Sequence, residues 1–271
     1  MASRAPSTML NHGGGPMPLL GQAPGLAGAL REWSASLTSK PKAILLVSAH
    51  WEEPAATVHS GASPSLLFDY SGFPAESYEY KYAAPGAPSV AARALELLKA
   101  AGIASATDAE RGWDHGVFVP MMLAFPDADV PIVQLSLLQS LDAAAHFALG
   151  RALRPLRDEG VAVVGSGQTF HNMGAFFGQP LRSGKSAAEV SGSFDSWFTE
   201  ACASTDAEER QRALIGWESA PGALECHPRS EHWLPLLVVV GAAHGDEAGR
   251  VIYTEQDMMG QGIAMSNVQF G

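Results

Sequence analysis

The run Ala43-Ile-Leu-Leu-Val-Ser48 narrows what this chain can fold into more than any other stretch. It is apolar at nearly every position and far too short to span a bilayer, so it is predicted as a strand buried on both faces. It then breaks off into Ala49-His50-Trp51-Glu52, a histidine flanked by polar and aromatic residues. In open α/β sheets ligands bind beyond the carboxyl ends of the strands. His50 is therefore a candidate to touch whatever the protein handles.

The pattern recurs. Ile132 to Leu137 and Val161 to Ser166 read as further buried strands, Thr57 to His59 as a short one, and Val251 to Tyr253 and Ile263 to Val268 as late ones. Helical spacing is found at Pro24 to Leu37, Asp142 to Asp158, Gly192 to Ala203, Ala207 to Trp217 and Trp233 to Ala243, where Pro235 falls in or near the first turn. Ser89 is read as the N-cap of a helix ending at Gly102. Strands alternating with helices imply an α/β fold, a single-domain sandwich whose central sheet is mostly parallel or mixed and flanked by helices. Neither an internal repeat nor a convincing linker is visible. Residues 1–10 are expected to form a loose leader, and residues 11–271 one catalytic domain. Ser60 to Pro85 is a long irregular loop rich in aromatic residues, which argues against disorder and for a functional role.

Bulk properties exclude several functions. The formal net charge of −11 disfavours a nucleic-acid groove or an anionic membrane surface as partner. The apolar run Leu234 to Ala243 is well short of the roughly 20 residues a bilayer requires. Met1 to Pro6 lacks the apolar core of a targeting segment. Only Cys202 and Cys226 are present, without a CxxC pair, so neither a disulfide framework nor a thiolate zinc site is expected, and a reducing cytoplasm is the expected location. A homo-oligomer stays open.

Nine histidines divide by context. His12, His50, His115, His171 and His232 each lie in a turn, at a strand end or at a helix start, beside Gly, Asp, Asn or Glu. His146 falls within an amphipathic helix and reads as structural, while His59, His227 and His244 read as packing or surface residues. A single turn histidine more often satisfies a backbone hydrogen bond than binds a metal. Five imidazoles without thiolates, however, are the ligand set of catalytic Zn, Fe(II) or Mn. Neither HExxH nor HxH occurs, so ligands must come from separate elements, and spacing alone leaves open whether the group holds a metal.

Taken together, the turns resemble those of the class III extradiol ring-cleaving dioxygenases, in the branch similar to 4,5-DOPA dioxygenase. The segments that carry the resemblance are His12-Gly-Gly-Gly-Pro-Met, Ser48-Ala-His-Trp-Glu, Asp69-Tyr-Ser-Gly-Phe-Pro, Tyr82-Ala-Ala-Pro-Gly and Gly112-Trp-Asp-His-Gly. Pro131-Ile-Val-Gln-Leu-Ser, Gly165-Ser-Gly-Gln-Thr-Phe-His-Asn, Glu231-His-Trp-Leu-Pro-Leu and the terminal Phe270-Gly271 complete the set in the family's order. The resemblance implies Fe(II) held by His12, His50 and His232, with His171 as catalytic base and His115 facing the substrate. Glu231 stands beside His232 as an alternative third ligand; its other expected role is a carboxylate stabilising a helix N-terminus. Whether His171 also ligates is left open. Phe170 departs from the family, where a smaller polar residue is common, and this bears on substrate shape.

The implied chemistry inserts O2 next to the diol of a small aromatic substrate, a catechol, to give a muconic semialdehyde. Fe(II) can pass an electron between O2 and a bound catechol, whereas d¹⁰ Zn(II) cannot, although Zn(II) can replace iron in purified protein. A histidine near neutral pKa suits the proton transfers. Asp114 is expected to orient His115 and, with Tyr70 and Phe73, to contact substrate; Tyr70, Phe73, Tyr78 and Tyr82 could form an aromatic wall, with core packing an equal alternative for each. The rival functions are a zinc-dependent hydrolase using the same histidines and a non-enzymatic binding module.

Overall fold

Residues 4–271 are described by the computed structural model. Eight strands, β1 (Ser7–Asn11), β2 (Ala43–Glu53), β3 (Ala56–His59), β4 (Ser105–Asp108), β5 (Ile132–Leu138), β6 (Val161–Gly167), β7 (Arg250–Met258) and β8 (Ile263–Phe270), form one sheet. Their order is β4-β3-β5-β2-β6-β1-β8-β7. The four central strands β5, β2, β6 and β1 run parallel, and antiparallel pairings of β3 with β5 and β1 with β8 make the whole sheet mixed. The α/β sandwich expected from the sequence is present.

β2 shows why its sequence reads as it does. Ile44 and Leu46 point into one core and Leu45 and Val47 into the other, all fully buried. Both faces of the sheet are covered by helices, so no position on the strand can be polar until the strand leaves the sheet. It does so after Val47, where its register with β5 slips before resuming at Glu52. Such irregularities re-aim side chains, and His50 lies within this one.

Several expected boundaries are corrected. Ser7–Asn11 is not part of a loose leader but the fully buried strand β1, between β6 and β8. Too short to show periodicity, it is recruited by long-range partners: Val163 N–H donates to the Pro6 carbonyl, and Arg157 Nε donates to that of Ala5. Residues 1–3 of the expected leader lie outside the described residues. Ser89 is not an N-cap; Ala87 takes that position and Pro88 opens the helix Pro88–Ala100, where its missing N–H costs nothing. The helix expected over Asp142 to Asp158 is two, Ala143–Leu153 and Pro155–Asp158, divided at the proline. The helix expected from Gly192 starts earlier, at Ala187, behind a Ser186–Glu189 capping box. No helix among the described residues is long and apolar enough to cross a membrane.

Candidate metal centre

The site forms at the carboxyl end of the parallel strands. β1 and β2 flank β6, so His12, directly after β1, and His50, in the irregular part of β2, stand on either side of it. His12 Nε2 and His50 Nε2 are 3.1 Å apart. His232 arrives from above β6, immediately before the helix Leu234–Ala242. Its approach depends on Gly167: a Cβ there would stand 2.2 Å from the His232 carbonyl oxygen, which accepts a hydrogen bond from Gln168 N–H at 3.1 Å. One nitrogen from each of His12, His50 and His232 lies within 4.8 Å of the others.

Two more imidazoles complete the cluster. His115 opens the helix His115–Ala124 with its ring 4.0 Å from that of His50, centroid to centroid. His171, four residues past β6, stacks on His232 at 3.4 Å. All five sequence candidates are thus brought together, and all five line one cavity of about 410 Å³, a volume typical of small-molecule sites.

Hydrogen bonds determine which nitrogen of each ring is free. Ser166 Oγ donates to the Gly116 carbonyl, so it can only accept from His12 Nδ1, at 2.9 Å. His232 Nδ1 donates to Glu231 Oε1 at 3.0 Å, and His50 Nδ1 faces Asp69 Oδ2 at 3.8 Å. His12 and His232 therefore keep the proton on Nδ1 and leave Nε2 unprotonated, the arrangement metal-binding imidazoles adopt; at 3.8 Å Asp69 does not hydrogen-bond His50. The Nε2 atoms of His12 and His50, 3.1 Å apart, are close enough to share one cation or one proton. Burial, reinforced by the neighbouring imidazoles, pushes the His12 and His232 pKa values well below the usual range and that of His50 down to about 4. The rings are neutral at pH 7, as a metal requires. The donor set fits a divalent metal ion of the Fe(II) or Zn(II) kind, with the cavity side open for further ligands.

Two carboxylates hold the other imidazoles. Asp69 Oδ1 accepts from both the backbone N–H and Nδ1 of His115, each at 2.9 Å. Glu231 Oε1 lies 3.3 Å from His171 Nδ1 and also takes His232, while its Oε2 faces Arg229 at 3.2 Å. Burial alone would raise both carboxyl pKa values, but hydrogen bonds and neighbouring charges, from His115 and His50 at Asp69 and from His171 and Arg229 at Glu231, together outweigh it and hold both below the ordinary range.

Some sequence expectations are revised. Asp114 neither orients His115 nor reaches the cavity: it is fully buried and bonded to Ser48, Gln134 and Arg111, and Asp69 orients His115 instead. Glu231 is not a helix-end charge but the common acceptor of two histidines. Tyr70 and Phe73 do line the cavity. Tyr82 is buried, its hydroxyl donating to the Met121 and Phe125 carbonyls, and belongs to the core. His146 is structural as expected, bridging Leu138 N–H and the Asp142 carbonyl. Asp69, Ser166 and Gly167 were missed as supporting residues. Asp69 stands in the Asp-Tyr-Ser-Gly-Phe-Pro motif, yet nothing in that motif points to a histidine 46 residues further on.

Fold and site together define an α/β protein with a three-imidazole centre at the base of an apolar cavity. Residues 3–270 match the family described as the catalytic LigB subunit of aromatic ring-opening dioxygenase. The chain belongs to that family. It is 42% identical over 270 residues to the dioxygenase tasH of Hapsidospora irregularis, covering 93% of this chain and 82% of that one. It is 40% identical over 230 residues to a 4,5-DOPA dioxygenase extradiol of Beta vulgaris (84% and 83% covered), and 36% over 273 residues to one of Escherichia coli strain K12 (100% and 96%). The crystal structure of an uncharacterised protein from Escherichia coli K12 superposes with a TM-score of 0.77 at 31% identity, over 99% of this chain and all of that one.

Proposed function

We propose that the protein is an Fe(II)-dependent extradiol dioxygenase that opens the ring of a catechol, DOPA-like or a related aromatic, to a muconic semialdehyde. The reading is supported above all by His12, His50 and His232, one nitrogen of each within 4.8 Å of the others, with two further imidazoles on the same cavity. Fe(II) held there would bind the diol and O2 and pass charge between them. The chain's own residues do the rest. His171, its Nδ1 held by Glu231, leaves Nε2 free to take a catechol proton and return it during ring opening. His115, fixed by Asp69, presents its Nε2 to a substrate or oxygen atom. Tyr70 and Phe73 offer the edge of an aromatic wall in a cavity lined mainly by apolar groups. Both atoms of O2 end in the ring-opened product, and the C–C bond beside the diol is the one that breaks.

Location in the cytoplasm is consistent with the two buried, free cysteines, Cys202 and Cys226. The test of the residue roles separates metal from base. His171→Ala should keep stoichiometric metal and lose turnover by at least about 100-fold, whereas His50→Ala should lose the metal. Full activity in the first, or tight Fe(II) binding in the second, would refute the assignments.

A further inference from the structure

The cavity that holds the histidines contains no lysine, arginine, aspartate or glutamate among the described residues lining it. Its outer wall is instead Phe73, Met173, Phe176, Phe177, Met258 and Met259. Three of these are large apolar side chains left open to solvent: Phe177 is 75% exposed, Met173 50% and Met259 49%. Exposed apolar groups gathered at one cavity mouth mark a surface that something apolar covers.

Two details strengthen this. Met259 has φ +61, a left-handed backbone that bulky residues rarely adopt and that its neighbour Gly260 shares at φ +73. The β7–β8 turn thus places a long apolar side chain at the cavity where a glycine would be easier to accommodate. Phe170 is fully buried and packs edge-on against Phe176 at 5.3 Å, backing the wall from behind. The half-exposed Arg229 is taken by Glu52 at 2.6 Å and Glu231 at 3.2 Å, and Arg111 by Asp114 and the His50 carbonyl. Among the described residues lining the cavity there is no cation to receive a substrate carboxylate.

Resting on the ring-cleavage reading above, we infer that the preferred substrate is a catechol bearing an uncharged, apolar substituent, and that Met173, Phe177 and Met259 select it. An ionised amino-acid side chain such as that of DOPA would bring both of its charges against thioether and phenyl groups with no counter-ion. The aliphatic equivalent would instead cover the exposed rim. A buried methylene contributes roughly a fourfold gain in affinity, so two extra methylenes on a half-open rim should give about tenfold.

The test is calorimetric titration of the Fe(II)-loaded protein under nitrogen, where binding is read without turnover. The ligands are 4-methylcatechol, 4-propylcatechol and 3-(3,4-dihydroxyphenyl)propanoate, the last matching the propyl chain in length but ending in a carboxylate. 4-Propylcatechol should bind about tenfold tighter than either of the others. Phe177→Lys should weaken 4-propylcatechol and strengthen the carboxylate a few-fold. The inference is overturned if the propyl compound is no tighter than the methyl one, or if the carboxylate matches it. If no catechol binds at all and none supports oxygen uptake, the ring-cleavage reading fails and the substrate inference with it.

Discussion

Replacing Gly167 by alanine tests how the third histidine is delivered. A Cβ at this position would lie 2.2 Å from the His232 carbonyl oxygen and 3.1 Å from the carbonyl carbon. Ordinary contact begins near 3.4 Å, so backbone must move by about 1 Å. β6 is an interior strand paired on both sides, with β1 and β2, and resists displacement. The segment carrying His232 should yield instead. Forcing a methyl group into packed backbone costs about 1–3 kcal/mol, with the upper end expected because the opposing atoms are main chain. A shift of that size at a ligand should also weaken metal binding by about 10–100-fold. Urea unfolding of the metal-free protein reads the first quantity, and competition for Fe(II) with a chelator under nitrogen reads the second. Gly192→Ala is the internal control: nothing lies within 4 Å of a Cβ there, in the middle of the helix Ala187–Ala203. It should stabilise by up to about 1 kcal/mol and leave the metal untouched. Wild-type metal affinity in Gly167→Ala would refute the argument that this glycine makes room for His232.

Further predictions concern the carboxylates. Glu231→Gln removes the charge shared by His171 and His232, and should lower metal affinity by about 10–100-fold in a chelator competition while leaving the fold intact by circular dichroism. Glu247 pairs with the fully buried Arg157 at 2.6 Å, which also holds the carbonyls of Ala5, Ala242 and Phe270. Burial would raise the Glu247 pKa, but Arg157, the His244 backbone N–H and Arg4 together outweigh it and depress the value. A depressed carboxyl pKa contributes stability that is fully present above the unfolded-state value, near 4.3, and is lost as pH falls through the folded value. Unfolding free energy should therefore drop as the solution is acidified below about pH 5, and Glu247→Gln should flatten that decline at a cost of about 3–5 kcal/mol at neutral pH, because the guanidinium is left buried and unpaired. An unchanged pH profile in the variant would count against the pair.

What could be read from the sequence follows the range of the interactions involved. β2, β5 and β6 announce themselves because burial on both faces demands apolar residues at every position. The five turn histidines stood out because imidazoles beside glycine and acidic residues have few structural uses in number. β1 was invisible: five residues carry no period, and the strand exists through its neighbours β6 and β8. The supporting shell was equally hidden. Asp114 precedes His115 in sequence and looks like its orienting carboxylate, yet Ser48, Gln134 and Arg111 already occupy it, and the carboxylate that reaches the ring comes from a loop 46 residues earlier. Glu231 could be placed near a helix end, but not opposite two imidazoles, because His171 arrives from the loop after β6, 60 residues earlier in the chain. The early start of the helix Ala187–Ala203 is different in kind. Its Ser186-x-x-Glu189 cap is a purely local signal that the sequence itself carries.

The central claim is that the three-imidazole centre supports ring opening by O2. Its most direct measurement is oxygen consumption by metal-free protein reconstituted anaerobically with Fe(II) or Zn(II), then mixed with a panel of catechols in aerated buffer, with the products weighed by mass spectrometry. Uptake of one O2 per catechol is expected with Fe(II), none with Zn(II), together with a yellow product heavier than its substrate by the mass of one O2 molecule. No uptake across the panel, or equal activity with Zn(II) and no oxygen in the product, would contradict it.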